Sequence, residues 1–228
     1  MKRSRVNELL RSGEAFIRSF GYALPPFAAW SPAEMRARRD AAGMIVERGL
    51  GWDVTDFGGG DFDRLGLFLF TTRNGHAADL KSGRGMLYAE KIMIARRDQL
   101  TPMHRHDLKA EDIVNRGGAT LALQLFTAAP DGAIDEALPV RVVADGLART
   151  MKGGDILTLS PGESVTLMPR VDWHAFWGEG GDVLIGEVST VNDDQGDNVF
   201  RDPVGRFAEI EEDDEPRRLL VSDYERWL

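Results

Sequence analysis

The sequence predicts a mainly β protein: a sandwich or small barrel of antiparallel strands, with α-helices at the N-terminal end packed outside it. Two observations carry this. Beyond Gly60, short runs rich in Val, Leu, Phe and Thr alternate with Gly, Asp-Gly and Asn-Gly punctuation, the pattern of strands joined by tight turns. No long helical pattern separates those runs, as parallel βαβ units would require.

The elements follow in order. Val6, Leu9, Leu10, Phe16, Ile17 and Phe20 recur at helical spacing among Arg and Glu, and Gly21 stands where a helix would stop. After Pro25-Pro26, the stretch Ser31-Pro32-Ala33-Glu34 offers an N-cap, a Pro at the first helical position and a capping-box Glu. A second helix is expected from there to Glu47, ending at Gly49 and Gly51. Strands are expected at 65–72, 86–95, 119–126, 140–144, 155–159, 164–168 and 183–188, with Asn74-Gly75 as a turn. The acidic run 209–215 reads as a solvated face or tail. With no repeat and no low-complexity linker, residues 1–228 form one domain. It has a helical extension over about 1–55 and a barrel over about 60–215.

Composition narrows the function. The 228 residues include no cysteine, which excludes disulfides, Cys-ligated metal and a Cys nucleophile and fits a reducing cytoplasm. A net charge of -9 argues against a nucleic-acid partner, because the chain as a whole would repel phosphates. Apolar runs such as 65–70 are far shorter than a membrane span. Arg5, Glu8, Arg11, Glu14 and Arg18 interrupt the stretch where an export signal would be apolar. The expected protein is soluble and cytoplasmic.

The histidines give the strongest signal. The chain has four, and two fall in His104-Arg105-His106, with Glu111 five residues further on. Residues two apart on a strand point the same way, so both imidazoles can meet at one point and Glu111 can return to it after a turn. His174 would add a third imidazole from a later strand. Three imidazoles and a carboxylate make a ligand set with positions left open for substrate, as a catalytic metal needs. Nitrogen and oxygen donors without sulfur suit Mn, Fe, Co, Ni or Zn. His76, alone beside Asn74-Gly75, reads as an ordinary polar residue. The spacings His104-x-His106-x4-Glu111-x6-Gly118 and Gly162-x6-Pro169-x4-His174 resemble the two motifs of the cupin superfamily, whose fold is an antiparallel jelly-roll barrel.

Around these ligands, Lys91 lies in an apolar strand whose alternation groups it with Ala89 and Met93, facing either the interior or water at an edge. Lys109 stands between two of the ligands. Glu187 sits on a strand that reads as buried, where a carboxylate needs a partner or a function. Glu209 alternates with Phe207 in a terminal segment that could close over the barrel mouth.

Tyr88-Ala-Glu-Lys91, the stretch from Pro102 to Gly118, Glu187-Val-Ser-Thr-Val-Asn-Asp-Asp194 and Phe207-Ala-Glu-Ile-Glu-Glu-Asp213 together resemble the bacterial D-lyxose isomerases, over nearly the whole chain. The resemblance implies two helices before a cupin barrel, a divalent metal, typically manganese, and a homodimer. By position it makes His104, His106, Glu111 and His174 metal ligands and turns Lys91, Lys109, Glu187 and Glu209 toward the sugar. It implies interconversion of D-lyxose and D-xylulose, with D-mannose and D-fructose as a second pair. That chemistry needs a base at carbon, for which Glu209 is the first assignment and Glu187 the alternative, with Lys109 as donor at the oxygens. An Fe(II) dioxygenase using the same ligands and a non-catalytic sugar-binding cupin are the competing readings.

Overall fold

A computed structural model of the chain describes residues 1–194 and 196–228. Helices α1 (Arg3–Ser19), α2 (Pro32–Ala37) and α3 (Gly43–Glu47) precede β1 (Gly51–Thr55) and β2 (Leu67–Asn74), and α4 (Ala77–Ser82) follows. Then come β3 (Tyr88–Ala95), β4 (Thr101–His106), β5 (Glu111–Ala128), β6 (Ile134–Asp135), β7 (Val140–Ala144) and β8 (Leu147–Met151). The series ends with β9 (Ile156–Leu159), β10 (Ser164–Leu167), β11 (Asp172–Thr190), β12 (Asn198–Phe200) and the short α5 (Tyr224–Trp227).

The two long strands organise the molecule. β5 and β11 pair from Asp172 opposite Thr127 to Ser189 opposite Glu111, and each belongs to two sheets. Residues 183–190 of β11 carry β3, then β2 and β1. On the other side, residues 111–114 of β5 carry β10, then β7 and β8. The opposite halves of the same strands carry β4 and β12 on one side and β9 on the other. The register slips between Glu179 and Val183, where the pair bends. Gly118 sits at that bend with φ of 97°, and a Cβ there would drive into the Asp182 carbonyl. Only glycine fits. Two sheets folded face to face about shared strands make the antiparallel jelly roll that the sequence predicts.

The interior of the roll is filled by Leu69, Met93, Ile113 and Ile185 from one sheet and Leu121, Leu123, Leu125 and Phe176 from the other. Outside, α1 packs Val6, Leu9, Leu10 and Ile17 in one cluster with Phe68, Phe70, Ile92 and Ile94 of β2 and β3. Gly13 makes room on the helix for the Phe68 ring. Because β2 is buried on both faces, its run Leu67–Phe70 is continuously apolar and does not alternate.

Four expectations change. The helix expected up to Glu47 breaks at 38–42, where Arg36, Arg38, Arg39 and Asp40 leave no apolar stripe to bury and only Met35 and Ala42 reach the core. β1 occupies 51–55, so the barrel starts inside the stretch read as a helical extension. Its Trp52 and Val54 join the outer cluster. The acidic run is no loose tail: Glu211 O accepts the Arg3 N–H at 2.8 Å, and Asp213 Oδ1 accepts the Ser4 N–H at 2.9 Å. One backbone carbonyl and one carboxylate thus satisfy first-turn donors of α1, and the carboxylate complements its dipole. Arg3, fully buried, ties Glu212 and Asp223 to the same end at 2.8 and 2.7 Å. Asn74-Gly75 leads into α4 instead of a hairpin, and His76 caps that helix by accepting the Ala78 N–H.

Candidate active site

The pleat of β4 sends His104 and His106 to the same side, and the ladder sets His174 of β11 directly opposite His104. The His104 and His174 rings lie 4.0 Å apart, centre to centre. Nitrogens of all three histidines fall within 4.8 Å of one another, and all three residues are buried. Nδ1 of His104 donates to the Pro102 carbonyl at 2.8 Å, and Nδ1 of His174 faces the Asp172 carbonyl at 3.4 Å. This leaves the Nε2 lone pairs for the interior. Burial, reinforced by the neighbouring imidazoles, holds His104 well below the usual histidine range. Burial and the Lys109 ammonium lower His106 as well. Neutral imidazoles are the form that binds metal.

Glu111 opens β5. Its Oε2 lies 2.8 Å from Lys109 Nζ, while its Oε1 lies 3.4 Å from His106 Nε2 and 3.2 Å from His174 Nε2. Those last three atoms are buried and have no hydrogen-bond partner. Three orphaned lone-pair atoms converging on one point are what a divalent cation satisfies, and the nitrogen and oxygen donors suit a borderline or hard metal. The residues therefore fit a metal ion. Burial alone would push the Glu111 carboxyl up, but Lys109 and His106 outweigh it and hold the group well below the ordinary carboxylate range.

Next to these groups lies a chain of buried charges. β3 pairs with β11 so that Lys91 faces Glu187 across the ladder. Glu187 Oε1 lies 3.0 Å from Lys109 Nζ and 3.4 Å from Lys91 Nζ, and it accepts a hydrogen bond from Ser189 Oγ at 3.1 Å. Lys91 also donates to Asn192 Oδ1 at 2.6 Å. Arg206 closes the series, reaching Asp194 at 3.0 Å and Asp53 at 2.7 Å. Burial would raise Glu187, yet the two ammonium groups keep it below the usual range. Burial lowers Lys91, whereas the two glutamates overcome burial at Lys109 and raise it.

Apart from Asp53, Ser189 and Asn192, these side chains line one cavity, with Phe57, Leu69, Met93, Phe176 and Phe200 among its apolar walls. The structure thus brings together His104, His106, His174, Glu111, Lys91, Lys109 and Glu187. The edge alternative for Lys91 is excluded because β3 lies between β2 and β11. Glu209 is not brought in, which corrects its placement at the mouth. It is exposed, and its carbonyl accepts from the Met1 ammonium at 2.5 Å. The segment around it runs along the start of α1, and only Arg206 from this stretch lines the cavity. Sequence reading missed Asp194, Arg206, Asn192, Phe57 and Phe200. For Asp194 a signal existed, an acidic stretch directly after the Glu187 strand. For Arg206, one arginine in a segment with no periodicity, there was none.

The comparisons agree with this architecture. Residues 1–224 match the family model described as D-lyxose isomerase. The D-lyxose/D-mannose isomerase of Serratia proteamaculans is 48% identical over 232 residues, and that of Escherichia coli O157:H7 is 43% identical over 230; each match covers 100% of both chains. Among solved structures, the L-ribose isomerase of Acinetobacter sp. DL28 in complex with L-ribose superposes with a TM-score of 0.61, covering 92% of this chain and 98% of its own. At 14% identity it speaks for the fold alone. With a family model matched over nearly its whole length and two full-length relatives above 40% identity, this chain belongs to the D-lyxose isomerase family.

Proposed function

We propose that the protein is a metal-dependent aldose–ketose isomerase that interconverts D-lyxose with D-xylulose, and D-mannose with D-fructose, through a cis-enediol. The observation that carries this reading is the convergence of the orphaned His106, His174 and Glu111 atoms beside a carboxylate, Glu187, held between two ammonium groups. His104, His106, His174 and Glu111 hold the ion. When bound, a divalent cation supplies a Lewis-acid hold on the carbonyl and adjacent hydroxyl oxygens of the sugar.

Moving a proton between C2 and C1 needs a base that is ionised and not spent on the metal. Glu187 meets both conditions and replaces Glu209 as the carbon base. Lys109, whose proton is held more firmly than in free lysine, donates hydrogen bonds at the sugar oxygens. Lys91, lowered by burial, is the ammonium suited to pass a proton. The cavity's three cations, Lys91, Lys109 and Arg206, each already face a carboxylate. That balance favours a neutral sugar over a sugar phosphate, which would need unpaired cations. The reading extends to manganese as the resident ion, with Zn, Co, Fe or Ni as alternatives, and to a cytoplasmic homodimer, as the family resemblance implies. Sedimentation at a mass near 25 kDa at micromolar concentration would exclude the dimer.

Anaerobic incubation of the metal-loaded protein with D-lyxose tests the activity. Appearance of D-xylulose is the expected result. A requirement for oxygen would point to a dioxygenase instead, and sugar recovered unchanged to a binding protein.

A further inference from the structure

The turn between β4 and β5 carries Lys109 between two of the candidate ligands, and one carboxylate holds that turn. Asp197, just before β12, is buried. Its Oδ1 accepts the N–H groups of Asp107 at 3.0 Å and Leu108 at 2.7 Å, and its Oδ2 accepts the N–H of Lys109 at 3.0 Å. Three successive amides closing on an anion form a nest, a geometry that fixes the backbone around the charge. The same Oδ2 lies 3.8 Å from Nδ1 of His106. His104 and His174 turn Nδ1 toward backbone carbonyls. Nδ1 of His106 has no hydrogen-bond partner and faces this carboxylate instead.

We propose that Asp197 is a positioning residue of the active site: it orients the His106 ring through Nδ1 and, through the three amides it binds, aims Lys109 at Glu111 and Glu187. The inference rests on the reading that His106 and Glu111 hold a metal. It predicts a coupling that a purely structural turn would lack, because one carboxylate faces a metal-ligand ring and also holds the backbone N–H of the lysine whose ammonium lies beside the base. A carboxylate acting on the far nitrogen of a ligand imidazole raises its basicity, and loss of such a partner typically weakens metal binding about 10–100-fold. In Asp197→Asn the amide keeps one oxygen for the turn but presents an NH₂ to one of its donors.

Cobalt(II) is the probe. Binding to the full chain is measured by chelator competition and by the visible ligand-field bands, with D-lyxose turnover measured in parallel and the exposed Asp202→Asn as control. Asp197→Asn should bind cobalt about 10–100-fold more weakly, with shifted bands, and lose kcat more than it changes KM. The control should match wild type. Unchanged affinity and bands in Asp197→Asn would overturn the inference and leave the isomerase reading standing. A wild type that binds cobalt but leaves D-lyxose untouched would remove that reading, while the cobalt titration of the variant still decides this one. No cobalt binding by the wild type would overturn both. Should the variant not fold, hydrogen exchange in wild type decides: amides of Leu108 and Lys109 protected about 100-fold or more against a free chain support the nest, and free-chain rates overturn it.

Discussion

The sheet of β2, β3 and β11 has two faces built on opposite terms. Its outer face packs Phe68, Phe70, Ile92, Ile94 and Leu184 against α1 and turns polar at Glu90, whose carboxylate accepts from Thr72 and Tyr22. Its inner face is apolar at Leu69, Met93 and Ile185 and then, on the same strands, carries Lys91 and Glu187, both almost fully buried. Alternation along a single strand therefore separates packing from the charged cavity, with Ile92 meeting the helix and Lys91 lining the cavity one residue away. Removing one partner of a buried ion pair leaves an uncompensated charge, so each inner-face charge depends on its partners, whereas the outer face depends on packing.

The largest effects should come from the inner face. His174→Ala should remove most bound divalent ion and abolish turnover while the fold persists, as metal analysis and circular dichroism would show. Full metal retention would break the ligand assignment. Glu187→Gln keeps the shape and removes the base, so kcat should fall by about 10²–10⁴, the range of general acid–base catalysis, with metal content unchanged. Near-normal exchange of the sugar's C2 hydrogen with deuterated solvent in that variant would exclude Glu187 as the base.

The same contrast predicts how stability depends on pH. Burial would raise Asp194 and Glu187, but neighbouring cations overcome it and lower both in the folded state. The stability they contribute is complete above the unfolded carboxylate range, at about pH 4, and is lost as pH falls further through their folded values. Asp53, raised by burial, works in the opposite sense. Urea midpoints measured between neutral and acid pH should therefore drop in acid for wild type and drop less steeply for Asp194→Asn. An equally steep limb in the variant would move the acid sensitivity elsewhere.

On the outer face, Leu9→Ala opens a cavity between α1 and the sheet and should cost about 2–5 kcal/mol in urea unfolding. KM and metal affinity of the folded fraction should stay at wild-type values. A changed KM would mean the two faces are coupled through the sheet.

How much of this was legible depended on the range of the interaction. The His-x-His spacing on β4, the capping box at Ser31 and Glu34 and the strand at 140–144 were readable because each rests on neighbours within one element. The break at 38–42 was not, since a good cap starts a helix whether or not an apolar stripe follows to hold it. β1 was hidden by a Gly-Trp-Asp-Val-Thr stretch in which Asp53 looks like a turn residue, and only Arg206, 153 positions away, makes its burial tolerable. Arg206 and Asp197 act on the site through contacts that no local pattern encodes.

Glu209 marks the boundary of what alternation can show, and it gives the smallest predicted effect. As a carboxylate that alternates with Phe207 in a late segment, it is the first assignment for the carbon base from the sequence, ahead of Glu187. Glu187, however, lies in a ladder that fixes which way it points, opposite Lys91 and Ile113, whereas Glu209 follows a loop whose direction is set by the N-terminus. Met1 is held by the Glu209 carbonyl, and Glu211 N–H donates back to the Met1 carbonyl at 2.9 Å, which turns the exposed Glu209 side chain away from the cavity. Only backbone atoms of Glu209 make these bonds, so Glu209→Gln should leave kcat, KM and metal content at wild-type values and shift stability by no more than about 0.5 kcal/mol. A fall in kcat of about 10² with metal retained would show that the segment swings inward when sugar binds, and would return the base to Glu209.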